Sequence, residues 1–367
     1  MSILVALIAV SVLVLIPWVG VGALNLQVLF GVIIPYAAFA TFIIGIIVRV
    51  IGWGRSPVPF RIPTTAGQQK THPWIKHSKL DNPSSTLGVI GRMALEVLLF
   101  RSLFRNTRME FRQGPKIDYE WEKWLWLFAL GFHYAFLVVV IRHMRFFTEP
   151  IPWFVHLTES LDGFLEMGLA PIQGLGVPGI MISGFVLLGA ATLLLVRRVI
   201  VSNVRYISLP ADYFPLFLIL AIATTGVLMR YHGILMYRLI GLDLLSADIV
   251  RVKELAIGLV TFHPTIPQGI GTIFFIHLFL VCMLLAYFPF SKLMHLGGIF
   301  LSPTRNLSNS NRLVHHVNPW NYPVKVHTYE EYEDEFREKM VEVGLPVEKM
   351  PETPEQGEAA SEDEKKE

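Results

Sequence analysis

The chain has 367 residues, of which 53% are hydrophobic and only 16% charged. Soluble domains carry about 25% charged residues, so the composition excludes an ordinary water-soluble globule and leaves a polytopic membrane protein. The net charge of +2 says little, because the placement of charges matters more than their sum, and no nucleic-acid partner is expected. One cysteine, Cys282, excludes an internal disulfide, a cysteine-ligated iron–sulfur cluster, a covalent C-x-x-C-H haem site and a zinc ribbon built from this chain alone.

In chain order, the first apolar run covers residues 3–22. It has the length of a signal peptide but no basic leader, and a second run follows after a short gap, so it is expected to stay as a helix. Hydropathy predicts six spans, at 3–22, 27–50, 122–144, 178–198, 212–231 and 271–291, each near the roughly 20 residues that cross a hydrocarbon core. The expected fold class is all-α, a polytopic membrane helical bundle. Cys282 falls inside the last span and reads as a small packing residue.

Between the second and third spans lies an insertion, residues 52–121. It opens Pro-rich (RSPVPFRIPTT) and continues LGVIGRMALEVLLFRSLFRN, with apolar residues near helical spacing and arginines between them. An amphipathic helix on the membrane surface is expected, a partner-docking helix being the alternative. Thirteen Lys and Arg residues lie between Arg49 and Lys123, and Arg197, Arg198 and Arg205 follow the fourth span. The loop after the third span instead sets Arg145 against Glu149, Glu159, Asp162 and Glu166. The positive-inside rule makes the basic segments cytoplasmic, and six spans then put both termini in the cytoplasm; a prokaryotic inner membrane is the expected location. From residue 301 the chain turns polar. YEEYEDEFREKMVEV is expected to form a short helix, and the charged PETPEQGEAASEDEKKE end to be disordered, as a solubilising tail or a tether.

Histidines are costly in lipid and usually mark function there, although an interhelical hydrogen bond can also account for any single one. The third span carries His133 and His143, about 15 Å apart along a helix. The sixth carries His277 and His295, eighteen positions apart, which on one continuous helix puts both on one face about 27 Å apart. Pro289 is expected to kink that helix and absorb part of the mismatch. The two spans run in opposite directions, so depth pairs His133 with His295 on the inner side and His143 with His277 on the outer side. Imidazole is a good axial ligand for iron, and two such pairs suit two stacked b-type haems. Arg142, Arg145 and Arg230 sit at outer helix ends against the charge bias, as candidates for the outer haem propionates, with snorkelling as the competing account. Lys292 and Arg197 are the equivalents inside. His72, His77, His315, His316 and His327 read as solvated, and His156, His232 and His263 face the outer side.

YFPFSKLMH, FHYAFLVVVIRH and the stretch VTFHPTIPQGIGTIFFIHLFLVCMLLAYFPFSKLMH resemble the gamma subunit of respiratory nitrate reductase, a resemblance that extends over about residues 27–316. It implies a dihaem cytochrome b domain, here residues 26–300, with His133, His143, His277 and His295 as axial ligands to two haem b groups. It also implies exchange of electrons between a membrane quinone and a cytoplasmic iron–sulfur partner. An extra N-terminal span (1–25), the insertion 52–121 and the tail 301–367 depart from that pattern. They look more like the cytochrome b subunit of the DsrMKJOP complex of sulfur-metabolising prokaryotes. That resemblance implies a partner like the catalytic subunit of heterodisulfide reductase and further membrane and periplasmic subunits; the expected quinone is menaquinone, with ubiquinone as the alternative. His156, Glu159 and Asp162 are candidates near the quinol. The alternatives are a true nitrate reductase subunit, a histidine-bearing transporter or passive anchor, and a haem oxidase with an open iron position. The absence of an inverted repeat counts against transport.

Overall fold

The computed structural model describes residues 1–56, 67–114, 116–163, 181–232, 248–302, 305–310, 312 and 326–350. The Pro-rich opening of the insertion, His315, His316 and the charged C-terminal end lie outside the described residues. The chain divides into two compact units, Met1–His315 and His316–Glu367.

Among the described residues of the first unit, six helices are long and apolar enough to cross a membrane. They are α1 (Ser2–Gly22), α2 (Leu29–Gly54, its first turn π-helical), α5 (Lys123–His143, extended by a 3-10 turn to Phe146), α7 (Ile182–Ile200), α9 (Pro210–Val227, extended to Tyr231) and α11 (Thr272–Tyr287, extended to Phe290). These coincide with the six hydrophobic runs, and the chain is an all-α multi-pass membrane protein. Every backbone polar group in lipid needs an internal partner, and the helix is the local solution. Shorter helices are α3 (Thr86–Leu99), α4 (Arg101–Phe104), α6 (Trp153–Asp162), α8 (Ser202–Ile207), α10 (Ile249–Val260) and α12 (His295–Leu301).

Helices α5, α7, α9 and α11 pack in that order, each on the next, while α1 lies on α9 and α11, and α2 on α11. The seams are made of small and aliphatic residues, Ala135, Leu187 and Ala223 in one cluster and Val10, Leu218, Ile276 and Leu280 in another. Small side chains let helices approach where no hydrophobic effect drives them together. Helices α5 and α11, at the two ends of this row, are not close-packed neighbours.

The sixth span departs from the expected continuous helix. It stops at Tyr287, passes through a 3-10 turn at Phe288–Phe290, and reaches Ser291 in an extended conformation (φ −117°, ψ 177°). Ser291 then caps a second 3-10 turn, Lys292–Met294, by accepting the Leu293 N–H at 3.1 Å. His295 opens the separate helix α12. Pro289 has no N–H to continue the ladder, which explains the stop. Helix α2 holds the break in place: a Cβ on Gly45 would lie 2.7 Å from Pro289 Cβ, and Phe42 meets Phe288 edge-on.

The insertion contains the expected amphipathic helix, α3, capped by Ser85, whose hydroxyl accepts the Gly88 N–H at 3.3 Å. It also contains a hairpin that the sequence reading missed, β1 (Thr107–Arg112) antiparallel to β2 (Lys116–Trp121), with Thr107 opposite Trp121. The insertion is fastened to α5 and to the segment after α12. Trp126 Nε1 and Tyr134 OH of α5 donate to the carbonyls of Leu99 and Leu98, at 2.8 and 2.9 Å, satisfying the orphan C-terminal carbonyls of α3. Buried Asn82 and Asn309 bond each other at 2.8 Å, and Asn309 N–H donates to the Pro83 carbonyl at 2.7 Å. Helix α3 exposes Leu87, Ile90 and Leu98 while Arg92 and Glu96 are buried.

In the second unit, α13 (Tyr329–Glu342) starts with a capping box in which Thr328 and Glu331 bond each other's backbone N–H. Glu333 accepts the N–H groups of Glu348 and Lys349 at 2.8 and 2.9 Å, which folds the following segment back on the helix.

Candidate functional site

Helix α5 presents His133 and His143 ten residues apart, and the α11–α12 segment presents His277 and His295. The structure brings His133 to His295, with ring centroids 5.9 Å apart and ring planes at 79°. It brings His143 to His277, with centroids 6.4 Å apart and planes at 17°. The break at Pro289 makes both pairings possible, since it displaces His295 from the line of α11.

These separations are informative. A metal–imidazole nitrogen bond is about 2.0 Å, and the nitrogen lies about 1 Å from the ring centre, so one metal between two imidazoles sets the centres about 6 Å apart. Both pairs have that separation. Among the described residues no group of three or more His, Cys, Asp or Glu side chains gathers for a bare ion. Two imidazoles per site are the donor set that suits a macrocycle bringing its own four nitrogens.

The other ring nitrogen is engaged in all four cases. Nδ1 of His133 lies 2.7 Å from the Ala129 carbonyl, Nδ1 of His143 2.7 Å from the Val139 carbonyl, and Nδ1 of His295 2.8 Å from the Lys292 carbonyl. Carbonyls only accept, so each Nδ1 carries the proton and each Nε2 keeps its lone pair. Nδ1 of His277 lies 2.9 Å from Thr225 Oγ1. Locked Nδ1–H tautomers with bare Nε2 atoms are the arrangement in which histidine ligates metals. The rings of His133, His143 and His295 are exposed and that of His277 half-buried, a costly state at membrane depth unless a ligand takes Nε2. Side chains next to the pairs are aromatic: Phe100 and Phe132 meet His133 edge-on at 5.0 and 5.1 Å, and Phe146 meets His143 at 5.8 Å. The residues present fit two bis-imidazole haems.

The arginine candidates take specific partners. Arg142 Nη1 donates to Asp162 Oδ2 at 2.7 Å and lies 3.2 Å from Ser183 Oγ. Asp162 is buried and also accepts the Ser183 N–H and hydroxyl, both at 2.6 Å. Arg145 donates to Glu159 at 2.8 Å. Arg230 lies 5.8 Å from the Tyr231 ring centre, and the Nε atoms of Arg142 and Arg230 make no hydrogen bond among the described residues. Glu159 and Asp162 are therefore engaged by arginines, and His156 is exposed on α6. At the other end Lys292 bonds Asp212 at 2.5 Å and Arg197 bonds Glu122 at 2.7 Å. Of the remaining histidines, His72 stacks on Trp74 and His263 is exposed. Phe100 and Thr225 went unrecognised in the sequence. Both belong to other segments than their histidines, and no spacing rule links them.

Residues 88–317 match the nitrate reductase gamma subunit family. The chain is 44% identical over 300 residues to a protein of Archaeoglobus fulgidus described as an Hdr-like menaquinol oxidoreductase cytochrome b-like subunit, covering 80% of this chain and 83% of that one. A protein of the same description from Archaeoglobus profundus is 43% identical over 294 residues, covering 78% of this chain and 81% of its own. The family match begins inside the insertion, at α3.

Proposed function

Because the chain belongs to the nitrate reductase gamma subunit family, we propose that it is a membrane dihaem cytochrome b exchanging electrons between menaquinone and a cytoplasmic iron–sulfur partner. The observation that carries this reading is the pair of histidine pairs, 5.9 and 6.4 Å between ring centres, with every Nδ1 committed to a hydrogen bond. His133 and His295 would hold one haem b, and His143 and His277 the other. Bound haem iron would supply reversible one-electron transfer at two depths of the membrane.

The chain's own residues supply the rest. Their Nδ1–H donors raise the basicity of the ligating Nε2 atoms and hold the rings in place. The apolar faces of the row keep bulk water away. Arg142 and Arg230, with buried Nε atoms, offer positive charge beside the His143–His277 pair for anionic propionates.

The description of the Archaeoglobus relatives favours a menaquinol-linked complex with a heterodisulfide reductase-like partner over a molybdenum nitrate reductase. This agrees with a place in dissimilatory sulfur metabolism among further membrane and periplasmic subunits. Positive-inside bias supports a prokaryotic cytoplasmic membrane with both termini inside.

The test is spectroscopic. Purified protein should show reducible b-type Soret and alpha bands, two haems per chain, no carbon monoxide binding when reduced, and reduction by a menaquinol analogue. Protein without a b-type spectrum would overturn the reading.

A further inference from the structure

Three of the four histidines take their Nδ1 acceptor from their own segment, a carbonyl three or four residues earlier. His277 differs. Its Nδ1 lies 2.9 Å from the hydroxyl of Thr225, fifty-two residues away on α9. That hydroxyl is also 2.9 Å from the carbonyl oxygens of Ala221 and Ile222. A hydroxyl has one proton and two lone pairs. Its proton goes to a carbonyl of its own helix, because carbonyls cannot donate, and a lone pair is left to accept from His277 Nδ1–H. The next residue is Gly226, where an added Cβ would lie 3.4 Å from His277 Cε1. Thr225 and Gly226 thus form a seat on α9, the hydroxyl gripping the ring edge and the glycine making room for the ring.

We propose that Thr225 is the positioning residue for His277, holding its Nδ1–H tautomer and ring direction and tuning the haem of the His143–His277 pair independently of the other. This rests on the haem-ligand reading above. It goes further, because it makes the two sites unequal in a defined way. The other three acceptors are backbone carbonyls, which no side-chain change can remove. Here a side-chain hydroxyl shares the ring edge with the Ile222 carbonyl, so the ligand field at this one site responds to that hydroxyl and to the packing of α9 against α11. A hydrogen-bond acceptor on Nδ1–H makes the imidazole a stronger donor, which favours oxidised iron.

The experiment compares the wild type with Thr225→Val and Thr225→Ser in the purified complex. Haem content, optical redox titration of the alpha band and low-temperature EPR are read together. Valine keeps the β-branched shape and removes the hydroxyl, while serine keeps the hydroxyl. With Thr225→Val the midpoint potential of one haem rises and its EPR signal moves, or that haem is retained with about 10–100-fold weaker affinity. The second haem stays as in the wild type, and Thr225→Ser behaves as the wild type. Two haems in Thr225→Val with both midpoints and both signals unchanged would overturn the role of Thr225 while leaving the ligands standing. Equal shifts in the valine and serine variants would also overturn it, by showing that shape and not the hydroxyl matters. Wild-type protein lacking bis-imidazole haem would overturn the ligand reading and this inference with it.

Discussion

Asp162 shows how single residues hold the outer end of the row together. Its carboxylate accepts from Arg142, the Ser183 N–H and the Ser183 hydroxyl, so one side chain ties α5, α6 and the start of α7. Its side chain is 5% exposed and that of Arg142 15%, so water screens the pair little. Removing one partner of a buried pair leaves the other charge uncompensated, which costs about 3–5 kcal/mol. Asp162→Asn should therefore lower the unfolding midpoint in detergent clearly, whereas Glu149→Gln, at a carboxylate 66% exposed, should change it by less than about 1 kcal/mol. The histidines permit a sharper check. His277→Ala and His143→Ala should each remove one haem and leave the other, and His133→Ala or His295→Ala should remove its counterpart, as read by pyridine haemochrome content. A variant that keeps both haems would contradict the pairing.

Among the elements, the interrupted sixth span and the insertion decide the inner pair. Gly45 of α2 is pressed against Pro289 at the break. Gly45→Val would overpack that contact at a cost of about 1–3 kcal/mol. Because the break aims His295, the same variant should perturb one haem spectrum more than the other. The insertion reaches the same place from outside. Phe100 ends α3 in the left-handed region, φ 50°, which is uncommon for a bulky residue and points to a position imposed by its neighbours. Its ring packs edge-on to His133. Phe100→Ala should shift the spectrum of the His133–His295 haem alone. Asp81 anchors the following turn by bonding Arg101 and Arg105. The bond from Arg101, with help from Arg105 and Ser78, holds its carboxyl well below the usual carboxylate range. A carboxyl whose folded value is depressed stabilises fully above its unfolded value, about 3.9, and loses that contribution as pH falls toward the folded value. Acid should thus loosen the insertion below about pH 4, and Asp81→Asn should already be loosened at neutral pH, with a flatter acid response in limited proteolysis between Gly67 and Asn106.

For the whole molecule, the testable quantity is orientation. Accessibility of single cysteines placed in a Cys282→Ser background should show residues 70 and 330 reacting from the cytoplasmic side and residue 156 from the opposite side. Reaction of residues 70 and 156 from one side would contradict the alternation of spans. The spans themselves were legible in the sequence because hydrophobic length is a local property: a run such as residues 3–22 reads as a helix without knowledge of what packs on it. Helix α3 was legible for the same reason, from its apolar spacing, and α13 was expected within YEEYEDEFREKMVEV. The hairpin at Thr107–Trp121 carries a local signal too, since Met109 and Phe111 alternate with Arg108 and Glu110, and Ile117, Tyr119 and Trp121 with Lys116, Asp118 and Glu120; its strands are only six residues long and largely exposed, so no buried face marks them. The full break after Tyr287 was half legible. Pro289 announced a kink, but the extended Ser291 that turns it into a new helix is held by its bond to Phe288 and by α2.

The sequence by itself determined that this is a membrane bundle, where its helices run and which imidazoles lie in it, since each of these depends on residues near one another along the chain. Only the tertiary structure decided how far apart those imidazoles stand, what braces His277 and how the insertion is tied to the segment after α12. Those properties depend on contacts between residues 52 positions apart, as Thr225 and His277 are, or 227 apart, as Asn82 and Asn309 are. Such contacts follow from the packing of whole helices, and no local pattern of residues encodes them.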